Sequence, residues 1–181
     1  MQSKITDWSK WRPLNISTLR GNTGAQCHAP RYQKLCNTSL WRAVDQDGYV
    51  LDEIVQSRRD TKAAKRLLIR LLKKAGMPPK RIITDKLRSY GAAKRDVMAT
   101  VEHWSHRSLN NRAENSHLPL RKRERTMQGF RSAGSLQRFI SIFSALRNLF
   151  VTPHQKRSAL ATHIHRIRAI AHWKAVTGAV A

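Results

Sequence analysis

Between Leu40 and Arg125, short β-prone runs alternate with amphipathic helical periods, and this alternation limits what the chain can fold into more than any other feature. Leu40–Val44 and Tyr49–Val55 flank the acidic, glycine-ended turn Asp45-Gln46-Asp47-Gly48, which predicts a β-hairpin. Asp60 is placed to cap the next helix, because Ala64, Leu67, Leu68, Leu71, Leu72 and Ala75 fall at helical spacing before Gly76 and Pro78-Pro79 stop it. Arg81–Thr84 reads as a short buried strand ending at Asp85, Ser89–Met98 as a helix, and Thr100–Trp104 as a fourth strand. Asn110–Arg125 predicts helix, which Pro119 must start, kink or end. Strands and helices in this order predict a mixed α/β sheet with helices packed on it.

The flanks read differently. Residues 1–39 hold no clear period, and Gly21-Asn22-Thr23-Gly24 and Ala29-Pro30 interrupt them, which predicts irregular chain. Residues 126–181 carry one amphipathic stripe at Leu136, Phe139, Ile140, Phe143 and Phe150, and a weaker one at Leu160, Ile164, Ile167 and Ala171, which predicts a helical C-terminal region. The expected division is an N-terminal segment 1–39, a core 40–125 and a basic helical region 126–181.

Charge separates the same parts. Across 181 residues, 35 Lys+Arg stand against 11 Asp+Glu, a net +24 that repels itself unless a polyanion neutralises it. Residues 1–40 hold 6 bases and 1 acid, residues 41–114 hold 17 and 9, and residues 115–181 hold 12 and 1. The middle therefore has the balance of an ordinary globular domain, and chemistry that needs carboxylates must come from it. The last third is a cationic surface, for which nucleic acid is the fitting partner. There is no apolar run of the roughly 18 residues needed to span a bilayer, and no signal-like segment, so membrane spanning and secretion are not expected. Cys27 and Cys36 are too few for a disulfide framework and fit a reducing cytoplasm.

Asp85 closes a hydrophobic strand, where open α/β sheets place functional groups. Glu114 follows on a helix one strand later, and two carboxylates on neighbouring elements can bind Mg²⁺, which suits metal-assisted phosphoryl transfer. On spacing alone a strand-end Asp is more often a helix cap or a surface residue. Cys27-His28 with Cys36, and His103-x-x-His106 with His117, lack the paired spacing of a zinc site. Arg121-Lys122-Arg123-Glu124-Arg125 is a basic run that positive residues continue to Lys174 with no acid among them, and phosphate contact is the better reading for part of it. Trp41 and Trp104 are expected in the core or at its edge rather than as base-stacking platforms.

Four segments together resemble the catalytic domain of insertion-sequence transposases, specifically insertion sequence family six: WRAVDQDGYVLDE (41–53), TKAAKR (61–66), ITDKLRSY (83–90) and NNRAENSH (110–117). The resemblance runs from about Leu40 to the end. It implies an RNase H-like, retroviral-integrase-type fold and an Asp-Asp-Glu triad holding two divalent metals, Mg²⁺ or Mn²⁺. By position Asp85 matches the second Asp and Glu114 the Glu. The implied activity is nicking of element ends and joining of the freed 3′ end to target DNA. Lys86 and Arg112 are then candidate phosphate contacts, and Arg121, Lys122, Arg123 and Arg125 would hold DNA beyond the scissile step.

The chain departs from this family upstream. The first triad Asp belongs on a strand shortly before the WRAVD segment, yet no Asp or Glu lies between Asp7 and Asp45. Asp45 matches a motif residue of the following strand, and Asp7 has no strand pattern around it. The family's usual N-terminal DNA-binding portion is also unrecognisable in Met1–Ser39, and a truncated or frame-disrupted N-terminus would account for both absences; the first strand of the sheet is a candidate for loss too. The expected function is that of a DNA transposase impaired by the missing ligand; the alternative is a non-catalytic DNA-binding remnant. Element ends and target DNA are the expected partners. A second copy or an intact transposase is the expected protein partner, and the bacterial nucleoid in the cytoplasm the expected place.

Overall fold

The computed structural model describes residues 13–20, 38–85, 87–105, 110–127, 130, 132–152 and 158–178. Five strands form one sheet: β1 (Leu14–Arg20), β2 (Ser39–Val44), β3 (Val50–Gln56), β4 (Arg81–Thr84) and β5 (Glu102–Ser105), in the order β3-β2-β1-β4-β5. β1, β2 and β3 are antiparallel neighbours, while β4 pairs parallel to β1 and β5 parallel to β4. The mixed sheet expected from the sequence is therefore present.

Helix α1 (Thr61–Ala75) forms as its caps dictate. Asp60 accepts a hydrogen bond from the Ala63 N–H at 2.8 Å, and Gly76, at φ 73°, takes the left-handed conformation that lets its N–H reach the Leu72 carbonyl. α1 and α2 (Arg88–Val97) pack together on one sheet face, where Leu14, Ile16, Trp41, Leu67, Leu68, Ile82 and Tyr90 make the main core. The opposite face carries α3 (Asn111–Ser116) over β1 and β2, followed by α4 (Leu118–Thr126) and α5 (Ala133–Phe150). Leu40, Leu120, Phe130, Leu136 and Ile140 form a second, smaller core there. The helical stretch expected over Asn110–Arg125 is two helices, broken where Pro119 was expected to start, kink or end one: it stands in the first turn of the second, where its missing N–H costs nothing.

α5 also closes one sheet edge. Asn148 accepts from the Val50 N–H at 3.0 Å and donates to its carbonyl at 2.7 Å, and Gln137 accepts from the Val55 N–H at 2.8 Å and donates to the Glu53 carbonyl at 3.3 Å. The two amides lie about 16 Å apart along the helix, and the ends of β3 they serve about 17 Å apart along the strand.

Three expectations fail. Residues 1–39 are not irregular throughout, and the first strand is not lost: Leu14–Arg20 is a strand and holds the central place in the sheet. Its pattern is hard to read because both faces are covered, Leu14 and Ile16 by the main core and Asn15 and Ser17 by the α3 side. β5 begins at Glu102 rather than Thr100, since the Val101 N–H is still bonded to Met98 in the preceding turn. The helix expected at the weaker C-terminal stripe does form, as α6 (Ala159–Thr177), with Leu160, Ile164 and Ile167 67%, 39% and 53% exposed and Ala169 buried.

Candidate active site

Asp85 follows the last residue of β4, and both of its carboxylate oxygens are engaged. Oδ2 accepts from the Thr18 hydroxyl at 3.0 Å and Oδ1 from the Leu87 N–H at 3.3 Å. Thr18 is on β1, the strand beside β4, and its carbonyl accepts from Arg59 Nη2 at 3.0 Å. Beneath this group lies Tyr90, fully buried against Trp41, whose hydroxyl is pushed well above its usual pKa by burial and then by the Asp85 charge.

Glu114 sits on α3 with its side chain exposed. A helix of two turns has little stability of its own, so its position depends on tethers. Asn110 donates to the Ile16 carbonyl at 3.0 Å, Arg42 Nη1 to the Ser116 carbonyl, and Arg112 Nη1 to the Gln46 carbonyl in the β2–β3 turn. His117 Nε2 is 2.7 Å from the Ser17 hydroxyl. Burial first, and then the charges of Arg42 and Arg121, hold His117 well below its usual pKa, so the ring is neutral near pH 7. Arg42 is itself buried and directs Nε and Nη2 at Glu53 Oε2, at 3.0 and 2.8 Å. The structure thus places Asp85 and Glu114 on two elements that both adjoin β1.

Among the described residues, β1 adds no third carboxylate to these two. The polar side chains of β1 facing its neighbours, Asn15, Ser17 and Thr18, are all neutral, and Asp7 lies outside the described residues. Asp45 is a turn residue whose Oδ1 accepts from the N–H groups of Asp47 and Tyr49, each at 2.9 Å. Among the described residues no three His, Cys, Asp or Glu side chains converge as a metal site. His103 and His117 are held by Thr84 and Ser17 respectively, whereas His106, Cys27, His28 and Cys36 lie outside the described residues.

The basic run is helix α4, with Leu120 buried as its anchor and Arg121, Lys122, Arg123 and Arg125 exposed. Among the described residues, every ion pair falls between Arg42 and Glu102, and none of them involves a later base. Arg112 is partly committed to the Gln46 carbonyl, and Lys86 lies outside the described residues. Sequence reasoning missed Thr18 and the Arg42–Glu53 pair. The turn alone would not have given the pair: Val44 pairs with Val50, and an irregularity between Ala43 and Val44 shifts the ladder by one residue, so that Arg42 stands opposite Glu53 rather than Asp52.

A family described as a DDE domain matches residues 35–153. The chain is 30% identical over 112 residues to the transposase for insertion sequence-like element IS431mec of Staphylococcus aureus strain Mu50, covering 59% of this chain and 50% of that protein. The S. aureus transposase for insertion sequence element IS257 in transposon Tn4003 matches to the same extent. The chain therefore spans about half the length of these curated relatives. Among solved structures, the catalytic core domain of BIV integrase superposes with a TM-score of 0.50 at 13% identity, over 89% of this chain and 97% of that one. That likeness shows an RNase H-like, integrase-type fold.

Proposed function

The chain belongs to the DDE-domain transposases of insertion sequences, of the family six type, and from that premise we propose that it binds DNA through an integrase-like core while impaired in metal-dependent nicking and strand transfer. One observation carries the reading: β1 completes the sheet without supplying a carboxylate, and Thr18 spends its hydroxyl on Asp85. The two-metal chemistry of this family needs oxygen ligands placed on both ions. Asp85 and Glu114 are two such ligands, which does not fit a complete two-metal site.

DNA binding draws its support from the cationic surface. The exposed side chains of Arg121, Lys122, Arg123 and Arg125 fit phosphate contacts, and Arg112 and Lys86 are assigned the same role nearer the carboxylates. Element ends and target DNA are the substrates this reading assigns. Association with a second copy, or with an intact transposase, belongs to the same proposal and is read by light scattering. Among the described residues no helix is long and apolar enough to cross a membrane.

The test is a nicking and strand-transfer assay with Mg²⁺ or Mn²⁺ on DNA carrying the element's terminal repeats. The expected result is binding without cleavage. Cleavage that disappears in Asp85→Ala would show an intact catalyst and overturn the impairment.

A further inference from the structure

The two tryptophans grouped together on sequence grounds have different settings. Trp41 is wholly buried in the main core, whereas Trp104 on β5 is 38% exposed. Register places Trp104 beside Ile83 and Ile83 beside Asn15, so the indole stands on the same sheet face as α3, two strands out from β1.

The indole is also held. Glu102 accepts from Trp104 Nε1 through Oε1 at 2.6 Å and from Arg81 Nε through Oε2 at 2.8 Å, and the Arg81 guanidinium carbon lies 3.7 Å from the ring centroid. Its only polar group is therefore satisfied, one side of the ring carries a cation, and the remaining exposed surface is a fixed aromatic face. A flat π-system within a cationic surface is what an unpaired nucleobase stacks on, because every base has a π-face and the adjoining phosphates are drawn by the positive charge.

We propose that Trp104, clamped by Glu102 and Arg81 on the sheet face that carries α3, is a stacking platform for an unpaired base of bound DNA. The assignment rests on the DNA-binding reading above and adds to it a preference for frayed or single-stranded ends. A merely structural role would be to cover Ile83, and Trp104→Leu keeps that cover while removing the stack.

The experiment compares the full chain on a blunt duplex and on the same duplex with a short single-stranded 3′ extension, by fluorescence anisotropy. The expected result is tighter binding to the extended duplex by roughly 5-fold or more, the scale of one aromatic–base stack. Trp104→Leu should erase that preference and Trp104→Phe should retain most of it. If Trp104→Leu shifts the urea midpoint, Glu102→Ala makes the same comparison, since it releases the clamp without uncovering Ile83, and should reduce the preference. Equal affinity of the wild-type chain for both duplexes, or an equal loss on both in Trp104→Leu, overturns the platform and leaves DNA binding standing. No binding to either duplex overturns the DNA-binding reading and the platform with it.

Discussion

At the scale of single residues, the polar layer under α3 sets the chain's response to acid. The folded state holds His117 neutral, whereas the unfolded chain protonates it near its usual pKa, so below that pH the unfolded state binds more protons. Stability is therefore expected to fall as pH drops from about 6.5, by at most about 1.4 kcal/mol per pH unit for this residue. His103, also lowered by burial, acts in the same sense. Urea unfolding at pH 7.5 and 5.5 measures the slope, and His117→Asn should flatten it. Removing Arg42 alone leaves Glu53 buried without its partner, so Arg42→Met is expected to cost about 3–5 kcal/mol, read in the same urea titration. Thr18→Asp would set a second carboxylate against Asp85. In chelator the like charges should lower stability by about 1–3 kcal/mol, and Mn²⁺ should restore it. A wild-type melting temperature equally sensitive to Mn²⁺ would show that a cation site already exists. Of these residues Asp85 could be singled out from the sequence, and His103 and His117 only as metal-ligand candidates without the spacing of a zinc site. Thr18 and Ser17 could not, because a hydroxyl on a short strand has no chemistry of its own until its neighbour across the sheet is known.

At the scale of elements, legibility followed how much of each element's stability is local. α1 was readable to within a residue because its caps are its own: Asp60→Ala is expected to cost about 1 kcal/mol, measurable by thermal unfolding. The hairpin was readable because Asp45 and Gly48 build its turn, although a register shift between Ala43 and Val44 then moves the ladder by one residue. β1 was not, since its covering comes from segments a hundred residues away, among them His117 and Asn110. Periodicity likewise finds a helical face without saying what lies against it. On α5 the stripe meets the second core at Leu136 and Ile140, whereas on α6 the stripe at Leu160, Ile164 and Ile167 stays largely exposed.

At the scale of the whole molecule, charge and topology divide the labour. Among the described residues the ion pairs, made by Asp52, Glu53, Asp96 and Glu102, lie within the sheet and its first helices, and the later helices form a cationic field. Reversing Arg121, Lys122, Arg123 and Arg125 to Glu is expected to weaken DNA binding and to reduce the slope of log affinity against log salt by about 0.9 for each phosphate that the variant no longer neutralises. Unchanged binding would remove α4 from the DNA path. The side-chain amides on α5 have a consequence of another kind. An outermost strand with free N–H and C=O groups is a template on which a second molecule can add its own strand and so propagate a fibre. Gln137 and Asn148 occupy those groups at both ends of β3, standing in for a neighbouring strand that never arrives. In the Gln137→Ala, Asn148→Ala double variant that template is uncovered, and turbidity and thioflavin fluorescence should rise on incubation before the melting temperature has moved far.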